Sequence, residues 1–433
     1  MYRRCDTAES DIGMRYYLSG ADGTGGRIKT MPEDFIVREI SKHPEASDDG
    51  RFAIAEVTSR NWETNRLVRM MSRSMDISRE RIGFAGTKDK RAVTTQLMSF
   101  EAPTASFSKV ELKDIAISNV YRSRRGIQIG DLIGNDFEIT VRGCSASKDE
   151  ISSAIDSVSS DIRGLGGFPN YFGVQRFGTS RPITHLVGKS IVKGNIREAV
   201  DIYLSKLSDQ ELPEITEARK LLADRSDLEH AVKTMPKTMS FEKIMAEHLI
   251  KHPDDDIGAI SQLPTNLQMM FTHAYQSYLF NMMLSRRMEL GIPLNRPLEG
   301  DTVIPLDQNK IPLHERPVIV TSKNIDLAER QLISGKAFLT ISLFGSESEI
   351  ADGPMGDIER KIIEDENMTN GNFIVPGLPY CSSKGSRREI VCPLEKIECS
   401  LTDDGYNVRF SLPKGNYATC LLREYMKSEM SSY

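Results

Sequence analysis

The residues best suited to chemistry lie at positions 83–96, GFAGTKDKRAVTTQ. One acid, Asp89, stands there among Lys88, Lys90 and Arg91, after a short apolar run and two glycines. A carboxylate among cations is favoured in its ionised form. An ionised aspartate can act as a nucleophile or as an electrostatic stabiliser. Plainer readings compete. A phosphate-binding loop needs the GxxxxGK[ST] spacing, which is absent, and an acid follows Lys88. A simple surface turn fits the composition, since Gly, Thr, Lys and Asp are ordinary turn residues.

A second stretch, 166–178, reads GGFPNYFGVQRFG. Its aromatics, Phe168, Tyr171, Phe172 and Phe177, alternate with glycines and with Asn170, Gln175 and Arg176. Unstacked RNA bases are held on aromatic faces and read by amides and arginine, so a base-stacking platform is one reading. A packed glycine-rich loop with its aromatics in the core is the other. A third stretch, YRSRRG at 121–126, sets Arg122, Arg124 and Arg125 beside an aromatic, which suits phosphates or a solvated hairpin tip. His248 and His252 stand four apart without the HExxH order, and no metal site is expected. The glycines at 20–26 precede a strand rather than join strand to helix, so no dinucleotide site is expected either.

These residues need a scaffold. Residues 34–40, 51–57, 93–100, 115–121, 137–142 and 408–412 read as strands, and 82–85 as a short buried strand. Helices are expected at 62–75 and at 148–162. The second carries a capping box at Ser147 and Glu150 and apolar residues at 151, 155, 158 and 162. The class expected is α+β with a mixed, mostly antiparallel sheet. From about 195 the pattern turns helical and acidic. Residues 195–388 hold 22 basic and 29 acidic residues, whereas 60–130 hold 14 basic and 7 acidic. The net charge of −5 therefore hides a positive segment. Length allows two or three domains at roughly 150 residues each. The charged and polar start does not read as a signal peptide, and no apolar run reaches the ~18 residues of a membrane span. Six cysteines without CxxC spacing suggest reduced thiols and a cytoplasmic protein.

These segments resemble those of the TruD family of tRNA pseudouridine synthases. The matching stretches are 26–39, 83–96, 130–137, 169–178, 274–281 and 412–419. The pair AGTKDKRAVTTQ and NYFGVQRFG, ~80 residues apart, is highly specific. The resemblance implies a catalytic domain built from 1–194 and 389–433, with a family-specific α+β insertion at 195–388. It implies isomerisation of uridine to pseudouridine, at position 13 of tRNA, with no metal or organic cofactor. By position, Asp89 matches the family's catalytic aspartate and Lys29 a lysine that contacts it. Phe172 matches the aromatic that packs on the target base, and Phe35 and Asn170 match further pocket residues. Lys88, Arg91, Gln175, Arg176, Arg122, Arg124 and Arg125 are the expected RNA contacts. A monomer is expected, with tRNA as its partner. The rivals are an RNA-binding protein without catalysis, and a hydrolase at the glycosidic or phosphodiester bond. The second needs a further carboxylate or histidine beside Asp89, and these motifs supply none.

Overall fold

The computed structural model describes residues 2–307 and 311–433. Its contacts divide the chain into two compact units. One contains residues 21–168, 392–428 and 432–433; the other contains the remaining described residues, 2–20, 169–391 and 429–431. Both units draw on separated stretches of chain, whereas a single stretch, 195–388, was expected for the second, and residues 2–20 group with that unit rather than with the sheet. The crossing near 169 is earlier than the 195 suggested by charge. Packing explains this: Tyr171 Oη bonds Ser285 Oγ at 2.9 Å, and the amide of Phe172 donates to Asn281 Oδ1 at 2.9 Å. Both partners lie on the long helix Thr265–Glu289. The acidic composition begins some 25 residues after the packing does, so it marks the boundary late.

The first unit is built on an eight-stranded sheet. Its order is Ile397–Leu401, Gly405–Pro413, Leu132–Arg142, Phe35–Ser41, Val93–Phe100, Phe52–Arg60 and Ile115–Ser123, with Ile82–Phe84 also paired to Val93–Phe100. Every neighbouring pair is antiparallel except Phe35–Ser41 with Val93–Phe100. The sheet is thus mixed and mostly antiparallel. Opposed residues share a face, and residues two apart stay on it. Helix Thr64–Met75 buries Leu67, Val68, Met71 and Met75 against Ala53, Ala55, Val57, Met98 and Phe100. Burying each such side chain contributes about 1.5–3 kcal/mol. Helix Lys148–Leu165 begins with the expected capping box and is joined to helix Ala418–Met426 by Ser159 Oγ and Tyr425 Oη at 2.9 Å.

The second unit is largely helical. Seven α-helices run from Thr184–Val192 to Thr265–Glu289, and two more, Ile325–Ile333 and Pro354–Asp365, accompany an antiparallel sheet. That sheet runs Val318–Ile319, Thr302–Pro305, Ala337–Leu343 and Ser386–Glu389. Arg287 and Asp301 form a fully buried bidentate pair at 2.6 and 2.9 Å. Removing either partner would strand a charge in the interior. No described helix is long and apolar enough to cross a membrane.

Candidate active site

The strand Phe35–Ser41 organises the site. Phe35, Val37 and Glu39 share one sheet face by alternation. Across the antiparallel pairing, Glu39 stands opposite Asn135, Val37 opposite Phe137, and Phe137 opposite Phe410. The Phe35 and Phe137 rings meet edge to face at 6.1 Å, and Phe137 stacks on Phe410 at 5.2 Å. Phe35 and Phe410 are buried, whereas Phe137 keeps part of its ring exposed.

Lys29 precedes this strand with φ of 56°, a left-handed conformation that costs a non-glycine residue energy. Its loop is pinned on both sides. Arg27 and Arg142 exchange backbone hydrogen bonds at 2.8 and 2.9 Å. Buried Asp34 accepts from the Met31 amide at 2.9 Å and from Arg142 Nε at 2.8 Å. The Lys29 ammonium lies 4.4 Å from the centroid of the Phe35 ring and 2.9 Å from Asp89 Oδ2. Lys29 is only 15% exposed, but the Asp89 side chain is 58% exposed. The carboxylate is thus oriented by one cation and still open to a reactant.

Lys88 fixes the Asp89 loop from below the surface. Its amide donates to Thr64 Oγ1 at 2.8 Å, at the start of helix Thr64–Met75. Its ammonium reaches Glu39 Oε2 at 2.5 Å, and both side chains are buried. Lys88, expected to touch RNA, is therefore committed to holding the loop on the sheet. Lys90 and Arg91 are exposed on that loop.

The 166–178 stretch resolves toward its second reading. Phe168, Tyr171, Phe172 and Phe177 are all 6% exposed or less. In the helical unit, Phe172 lies edge to face with Phe280 at 5.4 Å, and the Arg388 guanidinium stands 4.2 Å over its ring. A ring so covered offers little face to a base, which departs from the stacking role expected of it. Asn170 is equally engaged. It donates to the Glu389 carbonyl at 3.0 Å and accepts from Arg388 at 2.6 Å. Arg176 donates to Ser277 Oγ at 3.2 Å, and Gln175 sits half-buried in the same turn, Val174–Arg176. Nearby, burial and the Arg176 charge lower the pKa of His273.

The three arginines near the hairpin are also matched. Arg122 donates to the Gly50 carbonyl at 2.8 and 2.5 Å, Arg124 makes two bonds to Asp49 at 3.0 and 2.7 Å, and Arg125 reaches Asp131 at 2.5 Å. Arg124, with help from Ser47, holds the Asp49 carboxyl below its usual range.

The sequence reading missed Phe137, Asn135 and Glu39. A signal was available: on a strand over 132–142, alternation sets Asn135, Phe137 and Ile139 on one face. Asn135 Oδ1 is shielded from solvent and has no hydrogen-bond partner among the described residues. Such an acceptor is uncommon in a folded protein and suits a donor brought by a ligand.

The family model described as tRNA pseudouridine synthase D (TruD) matches residues 11–425. A Methanosarcina acetivorans protein named "Probable tRNA pseudouridine synthase D" is 42% identical over 97% of this chain and 96% of its own. A Halobacterium salinarum protein of the same name is 36% identical over 98% of each chain. The crystal structure of a Methanosarcina mazei protein named for this family superposes with a TM-score of 0.87. It has 40% identity and covers 99% of this chain and 100% of the other.

Proposed function

The chain belongs to the TruD family of tRNA pseudouridine synthases, and on that premise we propose that it isomerises uridine to pseudouridine in tRNA, at position 13, through Asp89. The observation that carries this reading is the exposed Asp89 carboxylate 2.9 Å from the Lys29 ammonium. The reaction breaks the N1–C1′ bond of uridine, turns the freed uracil and rejoins it to the sugar through C5. Asp89 either attacks C1′ or takes a sugar proton as the bond breaks. Both routes need an ionised carboxylate beside the sugar, and glycosidases place acids at the same bond.

The detached uracil must be retained while it turns. The partly exposed Phe137 ring, backed by Phe35 and Phe410, supplies the flat apolar wall in this proposal. Phe172, assigned that role by the resemblance, instead supports the packing of its own unit. Lys29 aims Asp89 and balances its charge, and Lys88 anchors the loop through Glu39. The target uridine must leave its stack, which costs a few kcal/mol, and phosphate contacts can offset this. The sheet-bearing unit is the catalytic domain in this account, and the helical unit corresponds to the family's insertion. The enzyme would act as a cytoplasmic monomer on tRNA, without metal or organic cofactor.

The test is to incubate the protein with unmodified tRNA and map pseudouridine by position. A single new pseudouridine at position 13 supports the proposal. Salt-dependent binding without product would favour the RNA-binding rival, and free uracil or cleaved RNA would favour a hydrolase.

A further inference from the structure

The segment 60–130 carries the chain's surplus of positive charge, yet Arg122, Arg124 and Arg125 are engaged by local acceptors. Three of the segment's remaining cations lie on helix Thr64–Met75, whose sequence TNRLVRMMSRSM contains no acid. Arg66, Arg69 and Arg73 are all exposed. At 100° per residue they fall within roughly 60° of the helix circumference, along about 10 Å of its axis. None of the three forms an ion pair among the described residues, and Arg66 is held 4.8 Å over the ring of Trp62. The opposite face of the helix is packed into the sheet core, which anchors the backbone that carries the stripe. Its first residue is tied to the catalytic loop by the bond from the Lys88 amide to Thr64 Oγ1, one residue before Asp89.

We propose that Arg66, Arg69 and Arg73 bind the RNA sugar-phosphate backbone beside the target uridine, so that the helix sets the register of the strand against Asp89. This rests on the functional reading above. Nucleic-acid backbones carry a charge about every 3.4 Å per strand, so ~10 Å of arginine stripe matches about three phosphates. Arginine suits this task because its fork makes paired bonds to phosphate oxygens. The contacts are to backbone, so they position the RNA without reading its sequence.

The experiment measures tRNA affinity against salt for the intact protein and for a triple variant, Arg66→Gln, Arg69→Gln and Arg73→Gln. The slope of log affinity on log salt should fall by roughly two units, because each neutralised phosphate adds about 0.7–0.9. KM should rise tenfold or more, with a smaller change in kcat. Replacing the same three residues by lysine should restore most of the slope, which a packing role for the guanidinium groups would not predict. If the triple variant fails to fold, the Arg69→Gln, Arg73→Gln pair leaves Arg66 on Trp62 and should lower the slope by about one unit or more. An unchanged slope in a folded variant overturns the proposal. The functional reading fails separately: the wild-type protein would then form no pseudouridine, whatever the slopes.

Discussion

Two stretches of this protein are equally rich in residues that could do chemistry, and they use them in opposite ways. Around Asp89 the cation Lys88 is sunk into the sheet, while the acid stays open on the surface. Around Phe172 the aromatics are buried, and Asn170 and the Phe172 backbone are bonded to their own unit. A reactive group must keep an unsatisfied face, whereas a structural group is stable only when its polar atoms are paired. The same contrast separates two arginine groups. Arg124 is spent on Asp49, and the helix stripe at 66, 69 and 73 has no such partner.

Substitutions can break or sharpen this comparison. The largest effect is expected at Asp89. Asp89→Asn should lower turnover by about 10³-fold or more and leave tRNA affinity within about twofold, measured by single-turnover kinetics and binding. Next come the two phenylalanines. Phe172→Ala should lower unfolding stability by about 3–5 kcal/mol in denaturant melts, as expected for a buried ring. Phe137→Ala should lower turnover by about 10–100-fold, equivalent to the roughly 1–3 kcal/mol of base stacking, with a smaller stability loss. Equal stability losses in the two variants would erase the distinction.

A smaller effect is expected at His185, which lies between the rings of Phe177 and Tyr278 in the helical unit. Burial, reinforced by Lys189 and Lys206, lowers its pKa from 6.5 to about 4. The unfolded chain therefore takes up the proton first as pH falls. The stability this residue contributes is complete above about 6.5 and is lost as pH falls toward 4. His185→Phe should flatten that part of the stability–pH curve, a difference of about 3 kcal/mol at most. A curve of unchanged slope between those values would contradict the assignment.

Some of this was legible in the sequence for physical reasons. The Ser147–Glu150 capping box and the 4-3-4 apolar spacing that follows are local signals, and they fixed a helix start. The Asp89 loop drew notice as one acid among cations, but composition fits a surface turn as well, and it was the resemblance of the AGTKDKRAVTTQ motif that singled the acid out. What escaped detection depends on pairing across the sheet. Phe137 stands beside Phe35 because strand Leu132–Arg142 lies beside Phe35–Ser41 in one register, and a shift by one residue would turn it to the other face. The roles of Lys88 and Phe172 escaped because composition records a charge or a ring but not what covers it.

The central claim is that isomerisation is carried out by the exposed carboxylate of the sheet-bearing unit. Its most direct test is position-resolved pseudouridine mapping after one turnover on unmodified tRNA, with saturating wild-type protein and with Asp89→Asn. The account predicts pseudouridine at one uridine with the wild type and none above background with the variant, although the variant still binds the tRNA. Pseudouridine formed by Asp89→Asn at a rate near that of the wild type would contradict it.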